Sequence, residues 1–153
     1  MHVHELMARQ VHSCRSSESL EAAAQLLWDH DIGAVPAVDD KGRVVGVVTD
    51  RDICMAAYTQ GRPLRELVIA ETMSRELITC EPGDSVAHAA ALMKHHQLRR
   101  LPVLDGERRP VGILTLADLA HACQVTHRGH ADLASTIAAV TTPRTATDAR
   151  LTA

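Results

Sequence analysis

The sequence contains an internal repeat. When the chain is compared with itself at an offset of 66 residues, residues 7–54 align with residues 73–120 without a gap. Of these 48 positions, 15 carry the same residue, whereas composition alone would give about three or four matches. One copy has too few strands and too little apolar area to stand alone. The duplication therefore predicts two similar units that bury their sheet faces and helix stripes against each other.

Both copies show the same order of local signals: a short extended segment, a helix, two strands joined by a turn, and a second helix. The patterns predict helices over residues 19–31, 50–59, 85–96 and 116–123, and strands over residues 35–38, 44–48, 101–104 and 111–114. The prediction is an α/β fold of two β-α-β-β-α units, spanning residues 1–60 and 71–123, with residues 61–70 as the linker. We expect the tail, residues 124–153, to be partly helical (130–140) or disordered.

Composition disfavours several classes of protein. The chain has a net charge of −3, a pI near 6.3 and no aromatic residues besides Trp28, Tyr58 and the histidines. Neither a polybasic surface nor a base-stacking platform is expected, so nucleic acid is not an expected partner. No run approaches 18 apolar residues and the first residues lack the features of a secretory signal, so no membrane span is expected. The scattered cysteines favour reduced thiols in the cytoplasm.

One motif occurs at the same place in both copies, where the third strand runs into the second helix. It pairs a threonine with an aspartate three residues later: Thr49 with Asp52, and Thr115 with Asp118. The preceding Gly46 and Gly112 let another group approach the backbone closely. A helix N-terminus favours phosphate, and an aspartate accepts both hydrogen bonds of a ribose diol. Arg51 adds a cation in the first copy, where the second has Ala117. The same spacing is typical of a capping box. For each copy taken alone, a cap is the favoured interpretation over a ligand site.

The residues shortly before the strand proline form a second candidate site. They are Gly33 and Ala34 in the first copy, and Arg99 and Arg100 in the second. Small residues here provide a floor for a flat base, and the arginines neutralise phosphate. The structural alternative is a helix C-terminus, with Gly33 as the residue after the helix and both arginines favoured by the helix dipole.

The ordered motifs resemble a tandem pair of CBS domains, often called a Bateman module. They are D-I-G-A-V-P-A-V-D before G-V-V-T-D-R-D-I, and Q-L-R-R-L-P-V-L-D before G-I-L-T-L-A-D-L. The resemblance covers about residues 1–123. It implies two units related by a pseudo-two-fold axis and packed through their sheets, with two clefts for adenosine compounds: AMP, ADP, ATP or S-adenosylmethionine. It also implies a regulatory or sensor module, not an enzyme.

The resemblance assigns roles to residues. In the family the aspartate of the T-x-x-D segment holds ribose, and the threonine lies near ribose and phosphate. The matching positions here are Thr49, Arg51, Asp52, Gly33, Ala34, Arg99, Arg100, Thr115 and Asp118. Ala117 departs from the more basic pattern. The resemblance also implies a homodimer formed through the helices and an unidentified protein target. The apolar helix positions Ala56, Ala57, Leu92 and Leu119 are candidate dimer contacts, and internal core is an equal alternative for them.

Three alternatives stay open. In the first, the clefts are empty and the chain is an interaction module in which T-x-x-D serves only as a cap. In the second, the repeat-related His30 and His96 meet at the axis and bind Zn²⁺ with water or thiolate. In the third, the cysteines act as a nucleophile or redox switch, although no G-x-S-x-G, H-E-x-x-H or Walker motif is present.

Overall fold

The computed structural model describes residues 1–126 and 130–142 and confirms the α/β class. The first repeat contains β1 (Cys14–Arg15), α1 (Leu20–Asp29), β2 (Ala34–Val38), β3 (Val44–Thr49) and α2 (Asp50–Gln60), followed by the short helix α3 (Ile69–Thr72). The second repeat contains α4 (Val86–His96), β4 (Arg100–Leu104), β5 (Pro110–Thr115) and α5 (Leu116–Thr126). The tail contributes α6 (His130–Thr141). Single 3-10 turns lie at Val3–Glu5 and Leu64–Glu66.

The two repeats build sheets of different size. β2 pairs with β3 in antiparallel fashion, with Val35 opposite Val48, and β1 joins β2 in parallel after the crossover through α1. β4 and β5 form a two-stranded sheet. The extended segment before α4 adds one parallel bridge, from Cys80 to Val103. The predicted order of elements is therefore observed, with the first strand of the second repeat reduced to a bridge.

Local chemistry sets the ends of α1 and α4. Ser19 Oγ accepts from the Ala22 N–H at 3.3 Å, and Ser85 Oγ accepts from the His88 N–H at 3.1 Å, so a serine caps each N-terminus. Beyond the C-termini, Asp31 and Gln97 adopt left-handed φ values of 50° and 52°. The left-handed residue after α1 is thus Asp31, and not Gly33 as the sequence alternative suggested.

The chain divides into two compact units, and each takes in a segment from outside its own repeat. The first-repeat unit contains His12–Leu77 and Glu107–Pro110. The second-repeat unit contains Met1–Val11, Ile78–Gly106 and, beyond them, the described residues 111–126 and 130–142. The first eleven residues therefore pack within the second-repeat unit, and residues 61–77, the linker and the start of the second repeat, pack within the first-repeat unit.

Backbone hydrogen bonds hold the N-terminal segment in the second-repeat unit. The Val3 N–H donates to Asp84 O at 2.9 Å, and Ala8 exchanges two hydrogen bonds of 3.0 Å with Ile113 of β5. The Val3 side chain is fully buried in the hydrophobic core that also contains Met93. This segment supplies both a strand-like partner and core volume that the second repeat lacks by itself.

The linker and the residues that directly follow it have the same role in the first-repeat unit. The Leu20 N–H donates to Leu67 O at 2.8 Å, and Ser74 exchanges hydrogen bonds of 3.1 and 2.9 Å with Val47 of β3. Leu67 and Ile69 are buried in the hydrophobic core beneath α1 and β2. Because Ser74 is the repeat equivalent of Ala8, both sheets are completed by the same pairing.

Two repeat-related glycines make room for these segments. A Cβ built on Gly46 would lie 2.4 Å from Met73 Sδ, and one built on Gly112 would lie 2.4 Å from Met7 Sδ. Protein interiors are too closely packed to accept such contacts. The close approach that the sequence suggested at these glycines is thus made by the chain itself.

Helix α6 covers part of the second-repeat unit by packing against α4 and α5. Leu133 packs on the core, and Thr136 and Val140 are buried. The helix expected over residues 130–140 is thus present, while residues 127–129 and 143–153 of the tail lie outside the described residues. Among the described helices, none is long and apolar enough to cross a lipid bilayer.

Candidate functional site

Thr49 and Asp52 join β3 to α2 through three hydrogen bonds. The Thr49 N–H and Oγ1–H donate to Asp52 Oδ2 at 2.9 and 2.7 Å, and the Asp52 N–H donates back to Thr49 Oγ1 at 3.2 Å. Both residues are half-buried. This is the capping box that the spacing predicted as one alternative.

Thr115 and Asp118 repeat this geometry between β5 and α5. The Thr115 N–H and Oγ1–H donate to Asp118 Oδ2, each at 2.7 Å, and the Asp118 N–H donates to Thr115 Oγ1 at 3.2 Å. Both residues are again half-buried. The structure therefore gives the two copies the same cap in the same place.

The cap leaves one oxygen of each aspartate available. All the carboxylate hydrogen bonds above end on Oδ2, and within residues 1–126 and 130–142 neither Asp52 Oδ1 nor Asp118 Oδ1 has a hydrogen-bond partner. A carboxylate has about four lone-pair sites, so acceptor capacity remains. The single hydroxyl proton of each threonine is already donated to its aspartate. Each threonine therefore positions a carboxylate rather than offering a donor of its own.

The residues before the strand prolines lie beside these pairs. In the first-repeat unit, Ala34 is opposite Thr49 in the β2–β3 ladder, and the Asp50 N–H donates to Gly33 O at 3.4 Å. In the second-repeat unit, the Leu116 N–H donates to Arg99 O at 3.1 Å, and Arg100 begins β4. The structure thus forms a first cluster (Gly33, Ala34, Thr49, Arg51, Asp52) and a second cluster (Arg99, Arg100, Thr115, Asp118).

The two clusters differ in charge. In the first, Asp50 Oδ1 accepts from the Arg51 N–H at 2.7 Å, which places a second carboxylate at the helix N-terminus. Leu116 takes the place of Asp50 in the second, and among the described residues no side chain caps the Ala117 N–H. The side chains of Arg51, Arg99 and Arg100 are exposed. Sequence reasoning missed Asp50, although an acid at the first position of a helix is a recognisable signal.

A surface cavity of about 330 Å³ has no residue of either cluster in its lining. It is lined by Lys41, Arg43, Glu107 and Arg109, all within the first-repeat unit. Arg43 forms an ion pair with Asp39 at 2.7 Å, and Arg109 forms one with Glu107 at 2.9 Å. Because these pairs offset much of the basic charge, the cavity offers little to attract an anion.

The histidines make other contacts than the sequence suggested. His30 stacks on His12 with ring centroids 3.5 Å apart and planes 17° apart, whereas His96 lies in the other unit, edge-on to His95. The described residues contain no group of three or more side chains placed to bind a metal ion. Zinc binding through His30 and His96 stays a hypothesis.

The buried cysteines are poor nucleophiles. Burial, reinforced by the nearby charge of Glu18, raises the pKa of the Cys14 thiol to about 11. Burial and the charge of Asp84 raise the pKa of the Cys80 thiol to about 11 as well. Since the thiolate is the reactive species, both thiols are less reactive at neutral pH than an ordinary cysteine.

Comparison with known proteins identifies the family. A family model described as CBS domain matches residues 3–58 and 65–124, which are the two repeats. The chain belongs to the CBS-domain family. The CBS domain-containing protein YhcV of Bacillus subtilis is 39% identical over 118 residues, covering 77% of this chain and 82% of YhcV. Hypoxic response protein 1 of Mycobacterium tuberculosis is 38% identical over 103 residues, covering 67% of this chain and 71% of that protein.

Solved CBS structures share the fold. The CBS domain pair of protein MJ0100, in complex with 5′-methylthioadenosine and S-adenosyl-L-methionine, has 30% identity and a TM-score of 0.74, covering 82% of this chain and 98% of that one. CBSX2 in complex with AMP has 26% identity and a TM-score of 0.72, covering 83% of this chain and 98% of CBSX2. Hypoxic Response Protein I with two coordinated zinc ions has 34% identity and a TM-score of 0.72, covering 79% of this chain and 98% of that one. The predicted resemblance to a tandem CBS pair is confirmed.

Proposed function

We propose that this CBS pair is a non-catalytic sensor that binds an adenosine-type ligand (AMP, ADP, ATP or S-adenosylmethionine) and reports it to a protein target. The observation that carries the proposal is the available Oδ1 of Asp52 and of Asp118, each on a carboxylate oriented by its threonine. The same arrangement occurs in both clusters. Relatives of the same fold are described in complex with S-adenosyl-L-methionine, 5′-methylthioadenosine or AMP, which supports this ligand class.

Ribose recognition follows from the cap geometry. One hydroxyl of the ribose diol donates to Oδ1 without disturbing the cap, and the other shares the remaining lone pairs of the same carboxylate. Because two hydrogen bonds from the threonine already hold that carboxylate in place, little ordering entropy is lost when the ligand binds.

A ligand that binds one arrangement of the protein better than another shifts the population between them, which is what a sensor requires.

The charge difference predicts a division between the clusters. The first cluster has one carboxylate and one guanidinium, and the adjacent Asp50 adds a second carboxylate that already accepts from the Arg51 N–H. The second has two guanidiniums and one carboxylate, with no side chain on the Ala117 N–H among the described residues. Anions are favoured where a helix N-terminus keeps an N–H without a side-chain partner close to arginine. We therefore assign phosphate-bearing ligands to the second cluster, and uncharged or cationic adenosine compounds to the first.

Isothermal titration of the full chain with AMP, ATP, S-adenosylmethionine and adenosine tests the proposal. Asp118→Ala should weaken AMP binding at least tenfold, and Asp52→Ala should weaken S-adenosylmethionine binding at least tenfold, because each loses hydrogen bonds to a charged group. Both variants also lose a helix cap. Ser19→Ala and Ser85→Ala are the matched controls, since each removes the N-terminal cap of another helix, α1 or α4, and should leave the affinities unchanged.

Two results would overturn the proposal. If none of the four compounds binds at millimolar concentration, the chain is not an adenosine sensor, and the interaction-module alternative is favoured. If binding occurs but neither aspartate variant weakens it, the site assignment is wrong. The division between clusters has its own test: Arg99→Gln with Arg100→Gln should weaken AMP binding while leaving adenosine binding unchanged.

A further inference from the structure

The outward side of α1 carries the only tryptophan of the chain among acidic side chains. Four exposed residues share one stripe of this helix, at relative positions i, i+4, i+7 and i+8: Glu21, Gln25, Trp28 and Asp29. The Trp28 side chain is 87% exposed, and the exposed Asp31 lies two residues beyond the end of the helix. We call Glu21, Trp28, Asp29 and Asp31 the acidic aromatic face.

The charge around this face has one sign. Residues 16–40 contain six carboxylates and neither a lysine nor an arginine. Within residues 1–126 and 130–142, the carboxylates of Glu21, Asp29 and Asp31 take part in no ion pair and accept no hydrogen bond, whereas Asp39 is paired with Arg43. The face therefore offers an exposed indole beside carboxylates whose charge is not offset.

Two of these acids stand where the helix itself disfavours them. Asp29 and Asp31 lie at the C-terminal end of α1, and its last turn has no basic residue. The helix dipole makes a negative charge unfavourable there. The equivalent turn of α4 has the expected chemistry, with Lys94, His95 and His96. Residues that break a local rule of this kind are typical of functional sites, so these acids indicate a role other than stabilising the helix.

The second-repeat unit shows that a helix fits on the equivalent surface. Its counterparts of Trp28 and Asp31 are Lys94 and Gln97. Lys94 Nζ donates to Ser135 Oγ of α6 at 2.6 Å, and Gln97 Nε2 donates to Ala139 O of α6 at 3.2 Å. One repeat thus holds a helix of the same chain by donating hydrogen bonds to it. The other repeat presents acceptors and an indole at the same positions, so a helix docked there must supply donors.

The charge of the face selects against a second copy of the chain. Pairing the face with itself would bring the acids of both copies together, and like charges across an interface are costly. The helix positions weighed from the sequence as dimer contacts do not belong to this face. Ala56 and Leu119 are buried in the cores of their units, and Leu92 packs against the second core.

We propose that the acidic aromatic face binds a cationic, arginine-bearing helix of a partner protein. A guanidinium stacks on the face of an indole and also forms paired hydrogen bonds with a carboxylate, so arginine suits Trp28 together with Asp29 and Asp31. The proposal names the kind of protein target that the sensor proposal leaves open. It rests on that proposal only for identifying this partner with the target, since the docking itself requires neither cluster to be occupied.

Fluorescence of the full chain tests the docking directly, because Trp28 is the only tryptophan. The probe is a synthetic helical peptide of alanine and leucine, with arginine at every fourth position and no aromatic residue. At low ionic strength it should shift the Trp28 emission to shorter wavelength, with a dissociation constant on the order of 10–100 µM. Raising the salt concentration to about 0.5 M should weaken binding at least tenfold. The same peptide with glutamate in place of arginine should cause no shift.

A double variant separates this face from the overall charge of the chain. Asp29→Asn with Asp31→Asn should weaken binding of the arginine peptide at least tenfold, while the melting temperature stays the same or rises slightly because the helix dipole is relieved. Glu71→Gln with Glu76→Gln is the matched control. It removes the same net charge from exposed positions of the same unit and should leave binding unchanged.

Three results would overturn the proposal. The first is an unchanged Trp28 emission with the arginine peptide up to about 1 mM. The second is a control variant that weakens binding as much as the Asp29 and Asp31 variant does. The third is emission of the chain alone that shifts to longer wavelength on dilution, because a second copy would then cover the face. The Asp29 and Asp31 variant should bind adenosine compounds as the wild-type chain does, so failure of the docking is distinguishable from failure of the sensor proposal.

Discussion

Replacing Gly46 by alanine would force a methyl group into the contact between β3 and the segment that follows α3, at Met73 and Ser74. The added Cβ would lie 2.4 Å from Met73 Sδ, 2.7 Å from Met73 Cγ and 2.9 Å from Ser74 O. The methionine side chain can rotate away. The Ser74 carbonyl cannot, because it accepts from the Val47 N–H at 3.1 Å while the Ser74 N–H donates to Val47 O at 2.9 Å. Relief of the clash therefore strains the pairing between Ser74 and Val47.

The magnitude follows from two opposing effects. Overpacking a well-packed interior costs about 1–3 kcal/mol, while the lower entropy of the unfolded chain with alanine returns about 0.4–1 kcal/mol. We expect Gly46→Ala to lower the free energy of unfolding by about 2 kcal/mol. Gly112→Ala should cost about 1 kcal/mol, since its backbone contact, to Ala8 O, is longer at 3.2 Å. For a chain of this length the melting temperature should fall by about 4–8 °C in Gly46→Ala and by about 2–4 °C in Gly112→Ala.

The assay is urea unfolding followed by far-ultraviolet circular dichroism at a fixed protein concentration, so that self-association does not alter the comparison. Gly83→Ala is the matched control. Its added methyl group would meet nothing within 4 Å, and Gly83 has no positive φ, so stability should be unchanged or slightly higher. Combining Gly46→Ala with Met73→Ala should cost about 1 kcal/mol less than the two changes separately, because the shorter side chain removes two of the three close contacts.

The reasoning is refuted if Gly46→Ala is as stable as the wild-type chain while Gly83→Ala is also neutral. It is equally refuted if Gly112→Ala is the more damaging of the two glycine changes. Either result would mean that the methionine and the paired segment do not limit the space above the strand.

Two further predictions concern the cysteines. Thiols in the unfolded chain ionise near pH 9, whereas Cys14 and Cys80 in the folded chain stay protonated to about pH 11. The folded chain therefore binds more protons between these pH values, and the free energy of unfolding should fall as pH rises through that window, by about 1–2 kcal/mol per thiol after allowance for solvent. Urea titrations at pH 8 and pH 10.5 measure this loss, and the absence of any loss would contradict it. At pH 8, N-ethylmaleimide should modify the exposed Cys54 before Cys14 or Cys80, and peptide mass spectrometry follows the order of modification. If Cys14 were modified first, its thiol would not be buried in solution.

The sequence alone was enough to place the T-x-x-D pairs. A threonine and an aspartate three residues apart at the start of a helix meet through local backbone geometry, and so the cap between Thr49 and Asp52 follows from spacing. The repeat added the second pair, Thr115 and Asp118, at the same junction. The order of strands and helices was predictable for the same reason, since apolar periodicity and turn residues act over a few positions.

Only the tertiary structure showed which segment completes which unit. Nothing local indicates that Met7 packs over Gly112, more than 100 residues away, or that the linker supplies Leu67 and Ile69 to the first core. The exposure of Trp28 and the stacking of His30 on His12 also depend on contacts between distant residues. Such contacts arise from close packing across the whole unit, which periodicity along the chain does not encode.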